Sequence, residues 1–504
     1  KYPEVHAVMA NMEWNPYQDE YNVTNGATPI KMFKVGHDFT GTITHREGTL
    51  YLNNAGAIGG ATTLEFAAGT LFDNRSDAAI TLASNPTIAF STVISGTQGL
   101  QFGGTQAVNL GTGAVALAGP RTFAVFGSAP LTVGGVVSGT GLFTKANPGT
   151  LILSGANTYL SPTVISAGTV RVSADTNLGA AAATTTVTTT AVQGALGTTI
   201  PYTGSTTGWY VGMPVSGANI PANSFVTAFT SGTSFAINNA TTTLVASGTV
   251  ITGQSGAISL GAGVLETSAT FASSRALVLT GAGTVAPAAG TTLTLNGVVS
   301  GTSALRKVGL GNLTLTAANT FVGATNLNEG TLTLNYSAVP ASTNIIPATS
   351  ALAISNGSTL ALVGKASTTN TQTFAGLNVS AGANRITLTA NATANPLALT
   401  VGAITPVAGG TLDVTLPIGT LSATNGFNTS TAVTNAILGG YATANAGAGW
   451  LVSSAAGSSV LAAEVALPAA TGAAATNYSV SAANTALTAN VAANAVRLTG
   501  TTAK

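Results

Sequence analysis

Fourteen carboxylates, three histidines and no cysteine are all that this 504-residue chain has for acid–base or metal chemistry. His6, His37 and His45 fall within the first 47 residues at a spacing that fits no ligand motif, and without thiolates no metal or cofactor site is expected. Glycoside hydrolysis needs two carboxyl groups at a set separation. Glu4, Glu13, Asp19, Glu20, Asp38 and Glu47 lie near the N-terminus, while Glu65, Asp73, Asp77, Asp175, Glu266, Glu329, Asp413 and Glu464 are scattered. The closest of the scattered set, Asp73 and Asp77 in FDNRSD, have Arg75 between them and read as a polar turn. No catalytic residue emerges, and an enzyme is not expected. The residues better suited to contact than to catalysis are Trp14, Tyr17 and Tyr21 near the N-terminus, and Trp209 and Tyr210 further on.

The elements that must position these residues follow from composition and repetition. Only 6% of residues are charged and the net charge is +1, which leaves no electrostatic footprint for nucleic acid or an anionic membrane surface. Gly, Ala, Thr and Ser dominate, and short β-branched runs alternate with Gly or Asn turns, the signature of many short strands. No apolar run is long enough for a transmembrane helix. Few charges with much Thr, Ser, Asn and Gly suit a secreted or surface protein. No signal peptide is present, and a start at Lys1 without Met suggests a processed N-terminus.

The chain is organised around Leu131–Val172, LTVGGVVSGTGLFTKANPGTLILSGANTYLSPTVISAGTVRV, which returns 162 residues later at Leu293–Leu334 without a gap. Eighteen of the 42 aligned residues are identical. Such self-similarity marks a repeat architecture. Residues 1–47 differ from all that follows, with every histidine and ten of the 29 charged residues. They read as a cap over the first rung or as an arm docking on a neighbour. From Gly48 to 181 a "GTL" turn feeds alternating strands. The second "GTL" comes 21 residues after the first, at Gly69, whereas the "GVL" at Gly263 follows Gly168 by 95. The difference of 74 places an insert at 182–255, predicted as a small β-barrel or sandwich with Trp209 and Tyr210 in its core, a ligand platform being the alternative. Insertions in solenoids tend to share one face, often the binding face. The solenoid pattern resumes at 256–426. Residues 427–504 are Ala-rich but lack a helical apolar stripe, and are expected to continue as strands. The stop after VRLTG reads as a break within the pattern.

The unit VVSGTGLFTKANPGTLILSGANTYLSPTVISAGTVRV resembles the passenger-associated transport repeat, also called the autotransporter-associated β-strand repeat. Its pattern is carried by Gly139, Gly141, Lys145, Gly149, Leu151, Leu153, Gly155, Asn157, Thr158, Tyr159, Thr163, Ile165, Gly168 and Thr169. The second copy carries Lys307, Gly309, Gly311, Leu313, Leu315, Asn319, Thr320, Phe321, Gly323, Thr325, Leu327, Gly330 and Thr331. The resemblance implies an all-β, right-handed parallel β-helix (β-solenoid) exported to the bacterial cell surface. An autotransporter would add a C-terminal membrane barrel; none is seen, which implies cleavage from one or another secretion route.

In a parallel β-helix the apolar positions of TLILSG, TLTLTA and TLTLNY point inward and Thr outward. Asn157 and Asn319 are expected as turn residues stacking in an amide ladder, and Lys145 and Lys307 as solvated turn residues. Such a rod leaves an unpaired edge at each end, which invites head-to-tail polymerisation. The expected function is an extracellular structural building block of a surface layer, sheath or filament, a homo-oligomer or polymer coupled through its ends and the N-terminal segment. The alternative is an adhesin or autotransporter passenger that grips a surface glycan or receptor through the insert. A polysaccharide-degrading enzyme is the minor alternative, since β-helices host such activities and fold does not settle function. Ice binding would need a strict T-x-T period, and Asn312 interrupts it.

Overall fold

The computed structural model describes residues 40–52, 54–91, 99–181, 183–194, 197–206, 209, 213–221, 224–241, 243–339, 342–433 and 437–454, with shorter pieces at 12–14, 21–23, 30–32, 457–460, 465–466, 476–480, 493 and 495–498. The chain forms two compact units, Lys1–Leu293 with Gly297–Thr302, and Thr294–Asn296 with Ser303–Lys504. Each is a parallel β-solenoid.

In the first unit, short strands separated by turns stack into parallel sheets, one of them 10-stranded and another 5-stranded. Leu131, Leu151, Val170, Leu265 and Val285 occupy one column of successive rungs, and all are buried. The alternation in TLIL and TVRV explains why: Leu151, Leu153, Val170 and Val172 turn inward while Thr150, Ile152, Thr169 and Arg171 turn out. Each fully buried aliphatic side chain contributes about 1.5–3 kcal/mol. Aromatic rings stack the same way. Phe123, Phe143 and Tyr159 follow at 4.8 and 5.2 Å between centroids, and Phe66, Phe72 and Phe102 at 5.3 and 5.0 Å. Ile30–Met32 pairs in parallel with Thr49–Leu52, and Met12–Trp14 pairs antiparallel with Tyr21–Val23.

The rungs before and after residues 184–254 stack directly: Thr163–Ile165 pairs with Ile258–Leu260, and Thr169–Val172 with Val264–Thr267. The intervening chain makes an antiparallel 6-stranded sheet in the spatial order 215–217, 250–254, 184–189, 199–203, 234–237, 226–231. Its outer strands meet at a Pro214–Phe225 bridge, where Val215 N donates to Ser224 O and Val226 N to Met213 O at 2.9 and 3.0 Å. That closes the sheet into a barrel with no free edge. Val187, Ile200, Tyr202, Trp209, Met213, Phe235 and Ile251 are among the side chains that fill it.

The second unit repeats the solenoid logic, with Leu313, Leu332, Leu360, Ile386 and Val414 in one buried column. Parallel pairing on this sheet reaches Ala442–Ala444. Gly449–Ser454 and Gly457–Val460 then pair antiparallel instead of adding rungs. The reversal is local: Asn445, Ala446 and Gly447 all take positive φ (52°, 57° and 76°), the turn geometry of a tight hairpin. Asn477–Val480 and Ala495–Leu498 are strands, paired in parallel.

Candidate functional site

The lysines of the repeat are not solvated. Lys145 and Lys307 are both fully buried. The Lys145 ammonium donates to the carbonyl oxygens of Asn147 (2.6 Å), Ala146 (2.7 Å) and Ala167 (3.2 Å). Lys307 reproduces this with Gly309 (2.6 Å), Val308 (2.9 Å) and Glu329 (3.0 Å). The expectation of solvated turns failed because a turn that leaves carbonyls pointing inward needs donors, and an ammonium has three and no acceptor. Burial pushes both ammonium groups down to about 8, while the three oxygens favour the charged form. At neutral pH each lysine is therefore a cation with every proton engaged, and no lone pair is free for nucleophilic work.

The glycine that opens the next strand completes each cup. Gly168 and Gly330 sit at φ 66° and 64°. A Cβ at Gly168 would lie 2.2 Å from Asn147 O, 2.5 Å from Gly149 O and 2.6 Å from Lys145 Nζ; at Gly330 it would lie 2.5 Å from both Gly309 O and Gly311 O. Only glycine meets both the dihedral and the approach. Lysine and glycine, 23 residues apart in each copy, are thus two halves of one turn.

Asn157 and Asn319 are buried, as is Asn177. They form no amide ladder but bridge backbone between rungs. Asn157 accepts from Val137 N (2.8 Å) and donates to Asn177 O (2.5 Å), and Asn319 donates to Ile345 O (2.9 Å). The reason is that a rung's corner leaves its own N–H and C=O groups unpaired, and these are nearer than a stacked amide.

A residue that the sequence reading missed closes the neck of the barrel. Arg275 is fully buried. Its Nε donates to Asp175 Oδ1 (2.9 Å), Nη1 to Gly256 O (2.9 Å), and Nη2 to Gly179 O (2.9 Å) and Asp175 O (3.1 Å). One guanidinium thereby holds the chain where it leaves the solenoid and where it returns. The fork geometry of five N–H donors suits this task, and lysine would not serve. The signal was available as an arginine inside the apolar strand pattern SSRALVL of a charge-poor chain. Beside it Ser255 N donates to Ala183 O (2.9 Å) and Gln254 Nε2 to Ser274 O (3.1 Å).

Of the contact residues chosen from the sequence, Trp209 is 8% exposed and packs on Phe235 at 5.3 Å; it is barrel core. Trp14 and Tyr21 are register partners in the antiparallel pair of Met12–Trp14 with Tyr21–Val23. Tyr17 and Tyr210, with His6 and His37, lie outside the described residues. His45 is a core histidine stacked edge-on against Phe66, its Nε2 3.0 Å from Leu71 O, and burial lowers its pKa. Among the described residues no three His, Asp or Glu side chains gather in a metal-binding group, and no helix is long and apolar enough to cross a membrane.

Parallel rungs, a lysine cup closed by glycine and a looped-out barrel define a β-solenoid repeat protein whose conspicuous polar residues serve the backbone. The passenger-associated-transport-repeat model matches residues 143–172 and 305–334, each match spanning one lysine cup. The chain thus carries two copies of the passenger-associated transport repeat. Over 132 residues, 25% of the chain, it is 35% identical to the adhesin BmaC autotransporter of Brucella suis biovar 1 (strain 1330). The chain covers 3% of that relative's length. No solved structure matches it.

Proposed function

We propose that this chain is a non-enzymatic, extracellular segment of a bacterial surface protein that acts in adhesion, the solenoid carrying the barrel towards a glycan or receptor. The observation that carries this is the 132-residue likeness to an adhesin, in a chain that also holds two passenger-associated repeats. The geometry supports it. Arg275 fixes the barrel's neck to the rungs, so the barrel is held to the rod and not tethered by a loose linker. A second reading, a filament or layer subunit assembling end to end, draws on the open edges that parallel rungs leave. Ile30–Met32 pairs with Thr49–Leu52 and stands last in its sheet's strand order among the described residues, the edge that this reading would use.

The test compares the whole chain with a variant in which Ala183 is joined directly to Ser255, a splice that their hydrogen bond makes short. Both are applied to glycan arrays and host-cell surfaces, and imaged by negative stain. Binding by the whole chain that is lost on excision, with single rods in both images, is the expected result. Filaments without any surface binding would replace adhesion with assembly.

A further inference from the structure

The outer face of the second unit collects a second group of polar and aromatic residues. Arg385 pairs in register with Asp413, Asp413 with Thr443, and Thr443 with Trp450. Residues directly opposite one another in paired strands share a face, so these four form a row across four strands. Tyr441 stands two residues before Thr443, and the group borders a cavity of about 370 Å³. The antiparallel hairpin at Asn445–Gly447 ends the parallel run beside this row, and Ala446, Gly447 and Trp450 line the cavity.

The hydrogen-bonding account of the cavity does not balance. Asp413 is held by Thr443 Oγ1 (2.8 Å), Gly447 N (2.9 Å) and Ala446 N (3.0 Å). Asn384 spends both its oxygen and its nitrogen on backbone. Trp450 is 3% exposed, yet its indole N–H has no partner, nor has the phenol of Tyr441. The exposed Arg385 has no ion pair among the described residues. What remains unspent is an excess of donors beside two aromatic rings, with one lone pair left on Asp413 Oδ2. An unpartnered buried donor costs free energy, so a site with two, beside the exposed and unpaired Arg385, is one built to receive acceptors.

We propose that this cavity binds a carboxylate-bearing sugar, a uronic acid unit of a surface polysaccharide. Its carboxylate lies on the Arg385 guanidinium in the fork geometry that arginine offers. A ring hydroxyl donates to Asp413 Oδ2, and a small turn of Tyr441 and Trp450 presents the phenol and indole donors to the remaining oxygens. The inference rests on the adhesion reading for its ligand source, but it concerns a different place from the barrel.

The experiment titrates the purified whole chain with glucuronate and, separately, with glucose, following NMR line shifts or calorimetry. Arg385→Gln and Trp450→Phe are the variants, each checked for an unchanged circular dichroism spectrum. Arg385 is exposed, so its replacement leaves the fold alone. Glucuronate is expected to bind and glucose not, with affinity falling about tenfold or more in Arg385→Gln. Trp450→Phe keeps the ring and loses the N–H, and is expected to weaken binding less. No glucuronate binding, equal binding of glucose, or equal affinity in Arg385→Gln would each overturn the proposal. Failure here with surface binding still lost on barrel excision leaves adhesion standing. Glucuronate binding in a chain that adheres to no surface refutes adhesion and leaves the pocket.

Discussion

Replacing Lys145 with methionine tests whether the buried lysine cup is what holds the repeat's turn. Methionine fills much of the same volume and has no donor. The substitution strips three carbonyl oxygens, of Ala146, Asn147 and Ala167, of partners at 2.6–3.2 Å. A hydrogen bond to a charged group contributes about 1.5–3 kcal/mol. Against three of these stands the relief of no longer burying a cation, so the net loss is about 3 kcal/mol. A solenoid rung answers mainly to its neighbours, so the loss should stay within residues 143–172 and the rungs they touch. Native-state hydrogen exchange read by mass spectrometry is the assay. At 1.4 kcal/mol per decade, peptides covering Ser166–Val172 should exchange about 100-fold faster. Lys365 is the control, since among the described residues its ammonium makes one hydrogen bond, to Val339 O at 2.9 Å; Lys365→Met should change exchange by about threefold or less. Wild-type exchange across 143–172 in Lys145→Met would refute the argument. So would an equal loss of protection in every rung.

Four further expectations can be checked on the same material. Gly168→Ala forces a side chain into positive φ and against two carbonyl oxygens and the Lys145 ammonium. It should cost about 2–4 kcal/mol, read as a lower denaturation midpoint. Trp209→Ala empties the centre of the barrel and should cost about 3–5 kcal/mol there, with limited proteolysis cutting within 184–254 while the rungs persist. Arg275→Met breaks the clamp at Asp175, Gly179 and Gly256; cleavage at the neck, absent in the native chain, is the expected readout. His45, whose pKa burial lowers from 6.5, gives stability that is fully present above pH 6.5 and lost as pH falls towards its folded value. Exchange around Thr42–His45 should therefore speed up at pH 5 beyond the intrinsic pH effect, and His45→Phe, which can still stack on Phe66, should remove that excess.

The parallel rungs were legible because their cause is short-range. Alternation in TLIL decides which residues turn inward, and the recurrence of GTL or GTV marks where each strand begins. Even the looped-out segment left a trace, since Gly168 and Gly263 are 95 residues apart where 21 had sufficed earlier. The side on which a polar residue ends up was not legible. Lys145 and Lys307 stand in turns where composition favours solvent, and their inward course follows from carbonyls that only the folded turn leaves unpaired. Arg275 bonds residues 100 and 96 positions earlier, Asp175 and Gly179, a pairing that exists only once the rungs on either side of the barrel have stacked. The row from Arg385 to Trp450 likewise draws on four strands whose register is set by their neighbours. Sequence by itself thus determined the repeating strand and turn, because backbone hydrogen bonding and side-chain alternation act over a few residues. Tertiary structure alone decided which polar groups meet, because partners for buried donors and acceptors are supplied by the adjacent rung.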